Sequence, residues 1–293
     1  MTRKAYAALS GVLLAALIGA AQAQQPAPFA TTKVEGTDNV YIFRYGNHQA
    51  MFVVTPAGVI ATDPIGLARP QAVQTYVAEI RKITQAPIRY LIYSHHHFDH
   101  IAGGKPFKDA GATVVSLRRT KDRLVAMNNP DVVIPDEVFD ESRTISLGGT
   151  TLELQYVGPN HSDNSIVMRL PKEKILFAVD FIPVGQVPGR GMIDFYPAYN
   201  DDSLKYVLAM DWERLIPGHP GPGGRLGTKE DVRNLLAFFQ DVSVEVKKAA
   251  DAGKCWEQVE KELKLPKYES WPGYQQNLPF VLTRYCAYWG RGF

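Results

Sequence analysis

The feature that most constrains this 293-residue chain is the run Ser94-His95-His96-His97-Phe98-Asp99-His100, set directly after the apolar stretch Ile88–Tyr93. Four of the chain's seven histidines fall inside it. Such a cluster can be a surface tract, or a set of hydrogen-bonded core histidines, or a metal site. In an extended or loop segment, residues two apart point the same way. His95 and His97 can therefore grip one ion, and Asp99 and His100 a second beside it.

Three downstream residues favour the metal reading. His161 follows Val157-Gly158-Pro159-Asn160. Asp180 ends the apolar run Ile175–Val179. His219 follows Ile216-Pro217-Gly218. Each stands where a buried strand gives way to a loop, and strand ends on a rigid scaffold are where sites are built.

The periodicity supplies such a scaffold. Val40–Phe43, Ala50–Thr55 and Gly58–Thr62 have the β-branched and aromatic content of short strands between turn signals. Arg69–Ile83 is predicted helical, with Ala72, Val73, Tyr76, Val77 and Ile80 at helical spacing. Thr113–Ser116 is a strand. Thr144–Leu147 and Thr151–Tyr156 form a hairpin, Ser165–Leu170 pairs with Lys174–Ala178, Ser203–Met210 is helical, and Arg214–Ile216 is a last strand. Thr228 to about Ala252 is the clearest helix: Thr228 and Asp231 make a capping-box-like pair, and Val232, Leu235, Leu236, Phe239, Val242 and Val246 form its apolar stripe. Trp256–Leu263 is a further helix, and the Tyr- and Trp-rich tail 268–293 either packs on the core or forms a dimer or substrate surface. Strands and helices alternate in two halves, which implies two stacked sheets with helices outside.

Composition bounds the rest. With 45% hydrophobic and 21% charged residues, the chain can bury a sizeable core. Arg3 and Lys4, the apolar run 7–21 and the small-residue site Ala21-Gln22-Ala23 have the grammar of an export leader at 1–23. The run is short for a membrane span of about 20 apolar residues, so no stable membrane anchor is expected. The expected location is periplasmic or secreted. Gln24–Ala30, with two prolines, is expected to be disordered. Without Arg3 and Lys4 the basic residues balance the 30 acidic ones, which gives nucleic acid no basic surface to bind. Cys255 and Cys286 can pair in an oxidising compartment or remain thiols; spacing does not decide it.

His95-x-His97-x-Asp99-His100, then His161, Asp180 and His219, resembles the metallo-β-lactamase superfamily pattern in chain order. Ala50–Val54 and Val59–Asp63 resemble its opening strands. The resemblance spans roughly Val40 to Gly221. It implies an α/β fold, a four-layer αββα sandwich, with a hydrolase domain at 31–228 and a C-terminal helical extension at 229–293. It implies two zinc ions, with iron and manganese open alternatives for an imidazole- and carboxylate-rich set. His95, His97 and His161 would hold the first ion, Asp99, His100 and His219 the second, and Asp180 would bridge them. Asp63 would orient a ligand, and Asp99 would also accept a proton in catalysis. His96 is not counted as a ligand, and His48 is expected in a loop or at a rim.

The implied activity is metal-dependent hydrolysis of a small ester, lactone or amide by a metal-bridging hydroxide. Two departures shape that expectation. Gly158–Ser165 is similar to the zinc β-lactamases, yet Asp180 stands at the position of their Cys ligand, as in glyoxalase-type hydrolases. Those lactamases also carry a Lys for the substrate carboxylate, and Phe181–Asp194 holds only Arg190. β-Lactam hydrolysis is therefore the alternative, and a non-hydrolytic metal-binding or iron redox protein a further one. Gly185–Gly191 is either a mobile cap over the site or a connector. Tyr196 and Tyr199 are candidate pocket residues. The sequence names no substrate, substrate-binding residue or oligomeric state.

Overall fold

A computed structural model describes residues 28–292, apart from the side chains at 190 and 191. The leader expected at 1–23 and the Arg190 side chain therefore lie outside the described residues. The first sheet runs, in chain order and in space, through β1 (Phe29–Lys33), β2 (Val40–Tyr45), β3 (His48–Thr55), β4 (Gly58–Thr62), β5 (Ile88–Ile92), β6 (Thr113–Leu117) and β7 (Glu137–Phe139). Helices α1 (Pro70–Ile83), α2 (Phe98–Ile101), α3 (Lys105–Asp109) and α4 (Arg118–Met127) are interleaved with its later strands. The second sheet is built from β8 (Ser142–Leu147), β9 (Thr150–Tyr156), β10 (Ile166–Leu170), β11 (Ile175–Ala178) and β12 (Arg214–Pro217), in the spatial order β12-β11-β10-β9-β8. Helix α5 (Pro197–Ala209) precedes β12. Helices α6 (Lys229–Asp251), α7 (Glu257–Glu262) and α8 (Tyr274–Arg291) close the chain.

The period-2 alternation of strands makes the layers. In β3, Ala50 and Phe52 face the α1 side with Tyr76 and Ile80, whereas Met51 and Val53 face the second sheet. In β11, Ile175 and Phe177 face the first sheet, whereas Leu176 and Ala178 face the helices α5, α6 and α8. Both strands are buried on two sides, so they read as continuous apolar runs. Three apolar cores thus separate four layers, αββα.

Phe29 and Ala30 correct one expectation: they open β1, paired with Tyr45 and Arg44 of β2. Edge pairing satisfies their backbone, which composition alone left irregular. Helix α6 carries the expected cap, with Thr228 and Asp231 bonded reciprocally. Helix α8 contains Pro279 yet continues through it. Burial of Leu278, Val281, Leu282, Tyr285 and Cys286 outweighs the one hydrogen bond that proline removes. A Cys255–Cys286 disulfide, with Cα atoms 5.5 Å apart, ties α8 to the segment before α7. Among the described residues, no helix is long and apolar enough to cross a membrane.

The two sheets are stitched together at one end. Ile166 N donates to Ser94 O at 2.9 Å, and Gln49 N donates to Gly218 O at 2.7 Å. At that end β5, β11 and β12 all deliver their C-terminal loops.

Candidate metal centre

The imidazoles and carboxylates picked out in the sequence converge at this end in two adjacent groups. In one, ligand atoms of His95, His97, His161 and Asp180 all lie within 4.8 Å of one another. In the other, those of His48, Asp99, His100 and His219 do the same. His97 turns Nδ1 toward His161 Nε2, 2.9 Å away. Asp180 stands between the groups. Its Oδ2 is 3.4 Å from His161 Nε2, 3.6 Å from His95 Nε2 and 3.1 Å from His100 Nε2, and its Oδ1 is 3.2 Å from His219 Nε2.

Backbone geometry holds these positions. Asp180 has φ +68°, a left-handed conformation that costs a residue with a Cβ about 1–3 kcal/mol. It directs the carboxylate back across the end of β11. Gly218 must be glycine: a Cβ there would lie 2.6 Å from Val179 Cγ1 and 3.0 Å from Asp180 Oδ1. Its bareness lets the His219 loop close onto Asp180.

Electrostatics show what the cluster does without a cation. Burial alone would lower His100 and raise Asp180. Their mutual attraction wins, holding His100 up at about 9 and Asp180 well below the usual carboxylate range. Burial, then the neighbouring imidazole of His97, pushes His95 well down. Burial likewise lowers His161. Asp63 is raised to about 6 by burial, which the charge of His100 and a hydrogen bond from Ser94 only partly offset. Its Oδ1 accepts from Ser94 N at 2.8 Å, and its Oδ2 lies 4.0 Å from His100 Nδ1.

The donor set fits metal ions. His95 Nε2, His100 Nε2 and Asp180 Oδ1 are buried with no hydrogen-bond partner. Native proteins rarely leave such atoms orphaned, and here all three face one small space. Imidazole nitrogens and carboxylate oxygens suit zinc. Binding would displace the His100 proton, because a metal ligand must be deprotonated.

Three residues join the site that the linear pattern does not reveal. His48, expected at a rim, is a member of the second group: its Nε2 is 3.0 Å from Asp99 Oδ2. Arg69 Nη1 lies 2.7 Å from His48 Nδ1. A guanidinium can only donate, so the shorter contact makes His48 Nδ1 the acceptor and leaves Nε2 to donate to Asp99, with Arg69 Nη2 a further 3.3 Å from Nε2. Asp194 Oδ2 accepts from His97 Nε2 at 2.7 Å. Carboxylate partners of this kind fix the tautomer of a metal-binding imidazole. Nothing local announces these pairs; Asp194 is 97 residues from His97. His96 belongs to neither of the two groups; Asn164 Nδ2 donates to its Nδ1 at 2.9 Å.

A cavity of about 440 Å³ opens over the two groups. It is lined by a polar set, His97, Asp99, His161, Asp180 and His219, and an apolar set, Phe181, Ile182, Val187, Met192, Phe195 and Phe239. Tyr196 and Tyr199 are not among its lining residues. The 181–195 segment is pinned: Val187 N donates to Pro272 O at 3.0 Å, and Asn277 Nδ2 to Val187 O at 3.2 Å. Its side chains Phe181, Ile182, Val184, Val187, Met192 and Phe195 are buried in one core with α6 and α8. The connector reading suits it better than a mobile cap.

A four-layer sandwich with a histidine–aspartate cluster at its strand ends defines a class of metal-dependent hydrolases, and comparison with known proteins agrees. The family model described as "Metallo-beta-lactamase superfamily" matches residues 47–219. The chain belongs to the metallo-β-lactamase superfamily and is a metal-dependent hydrolase of that family. It is 29% identical over 186 residues to a metallo-beta-lactamase type 2 of Bacteroides fragilis, covering 61% of this chain and 67% of that one. It is 24% identical to the 2,4-dinitroanisole O-demethylase subunit alpha of Nocardioides sp., covering 61% of this chain and 55% of that subunit. It is 22% identical to a linear primary-alkylsulfatase of Pseudomonas sp., covering 66% of this chain and 46% of that one. The match thus spans only about half the length of the last two relatives. In structure it is similar to a metallo-beta-lactamase from Pontibacter korlensis, with TM-score 0.64 and 21% identity over 72% of this chain and 99% of that chain.

Proposed function

We propose that the chain is a two-zinc hydrolase of a small, neutral ester, lactone or amide. The observation that carries this reading is Asp180, whose two oxygens reach imidazoles of both groups. His95, His97 and His161 would hold one ion, Asp99, His100 and His219 the other, and Asp180 both. Zinc bound there supplies a polarising Lewis acid and a nucleophilic water at neutral pH.

The chain's own residues do the rest. Asp99 is half-exposed to the cavity, and its hydrogen bond from His48 helps hold it well below the usual carboxylate range despite burial. It is thus ionised, and its position at the cavity, not its basicity, makes it the proposed proton acceptor for the attacking water. His48, its tautomer set by Arg69, fixes the Asp99 carboxylate through Oδ2. Asp194 fixes the His97 ring. The buried apolar wall excludes bulk water where it lines the cavity.

The matched lactamases favour a second reading, β-lactam hydrolysis. Against it, no Lys or Arg lines the cavity among the described residues; the Arg190 side chain, which follows the lining Gly189, is not among them. Metal analysis combined with a panel of aryl esters, lactones and nitrocefin, with and without chelator, tests both readings. Chelator-sensitive turnover of the neutral members is expected, and nitrocefin as the best substrate would reverse the order. Replacing Asp99 with Ala should abolish turnover; near-normal turnover at full metal content would refute its role.

We also propose export to the periplasm or beyond. The leader-like start and the disulfide support this, since disulfides persist in oxidising compartments. Amino-terminal sequencing of protein from the periplasmic fraction tests it, with cleavage expected after Ala23. In this reading 31–228 is the hydrolase unit and 229–293 an extension packed on it.

A further inference from the structure

The cavity has a face that the hydrolytic reading does not use. Phe181, Val187, Met192, Phe195 and Phe239 are each 3% exposed or less, yet they line the same cavity as the ligand cluster. Phe239 comes from α6 and Asn277 from α8, both outside the segment matched by the family model. The wall is rigid rather than improvised. Phe195 stacks on Phe239 at 5.0 Å, and Phe239 on Tyr285 at 6.2 Å. Arg284 Nε donates to Phe195 O at 2.5 Å, and Asn277 Nδ2 holds Val187 O. At the next residue after Met192, Ile193 is 87% exposed. A large aliphatic side chain is left in water beside one that lines the cavity.

We propose that the C-terminal helices complete a binding site for an unbranched aliphatic arm of the substrate. The arm would lie along Phe181, Met192 and Phe239, with its reactive carbonyl at the Asp99–Asp180 end. This rests on the hydrolase reading and narrows it: the substrate is a neutral aliphatic ester or lactone, not a short polar one. Three observations point the same way. The wall is apolar and continuous with the ligand cluster. The lining polar groups other than the ligands, Asn47, Gln186 and Asn277, are uncharged. A cavity of about 440 Å³ exceeds what an acetyl group needs and lies within the range of about 300–1,000 Å³ for small-molecule sites.

The test has two arms, both on the full mature chain. In the first, n-butanol, n-hexanol and n-octanol are titrated by calorimetry into metal-free and zinc-loaded protein. Affinity should rise about threefold per added methylene, with or without metal. In the second, kcat/KM is measured on p-nitrophenyl acetate, hexanoate and octanoate, where the octanoate-to-acetate ratio should be well above one. Met192→Asn changes a side chain that lines the cavity, and its melting temperature checks the fold. It should cut octanol affinity and the octanoate-to-acetate ratio at least about fivefold, by placing a polar amide on the apolar lining. Asn277→Asp, checked by its melting temperature, should do the same from the α8 side. Flat alkanol affinities, or a chain-length ratio unmoved by Met192→Asn, overturn the proposal. Chain-length-dependent alkanol binding without turnover of any ester upholds the aliphatic site and removes the hydrolase reading instead.

Discussion

The ligand wall and the apolar wall line one cavity, yet they draw on the chain in different ways. The ligand wall comes from the ends of four strands of both sheets, β5, β9, β11 and β12, and its side chains sit within one or a few residues of buried apolar runs. The apolar wall comes from an irregular segment, Phe181–Phe195, and from helices α6 and α8 beyond the matched family segment. The first wall is polar, orphan-bearing and in part strained at Asp180; the second is packed, stacked and hydrogen-bonded to its support. Chemistry is thus held by the shared scaffold, while the surface that meets the rest of the substrate is supplied by what this chain adds to it.

If that division is right, perturbing one wall should leave the other standing. The largest effect is expected from Asp180→Ala, which removes the carboxylate facing both groups. Bound zinc should fall well below two per chain, and kcat/KM by at least about 1,000-fold, since metal-assisted activation of water is worth several kcal/mol. Alkanol binding should persist. Full zinc occupancy in this variant, measured by elemental analysis, would break the comparison at its root.

A smaller effect should follow from loosening Asp99 without touching it. His48→Ala and Arg69→Gln should each lower kcat/KM by about 10- to 100-fold, the usual cost of losing an orienting partner around a metal ligand. Arg69→Lys, which keeps a donor and a charge, should recover part of the loss. Cobalt-substituted protein offers a second readout, because its visible spectrum should change for the second site only. Equal losses in Arg69→Lys and Arg69→Gln would speak for mere packing.

The disulfide separates the walls from the other side. Replacing Cys255 and Cys286 by Ala frees a loop closed across 31 residues, which should cost about 3–4 kcal/mol of unfolding free energy. Denaturant unfolding should show that loss while zinc stoichiometry at low denaturant stays unchanged. A lost metal without lost stability would show that α8 supports the ligand wall as well.

The smallest expected effect concerns the start of α6. Burial would raise the Asp231 carboxyl, but hydrogen bonds from Arg225 and Thr228 outweigh it and hold it below its ordinary value. The unfolded chain titrates near about 3.9, so the cap stabilises above that pH and is lost as acid carries it through its lower folded value. Asp231→Asn should cost about 1 kcal/mol at pH 7, and the deficit should shrink toward zero below about pH 3. A deficit of constant size across that range would assign the loss to packing.

What was readable in the linear chain was whatever is local. Alternation in β3 and β11, the apolar stripe of α6 and its Thr228–Asp231 cap follow from neighbours a few residues away. So did the positions of His95, His97, Asp99, His100, His161, Asp180 and His219, each just past an apolar run. What the chain order did not reveal are contacts between distant segments. Arg69 meets His48 and Asp194 meets His97 because α1 and the 190–194 turn are brought to the same strand ends. Helix α8 forms through Pro279 because its apolar face is buried on α6, an energy that no local propensity contains. The apolar wall arises in the same way. Local pattern encodes which residues must hide or bind, and long-range packing assigns them their partners, since burial free energy depends on what arrives from elsewhere in the chain.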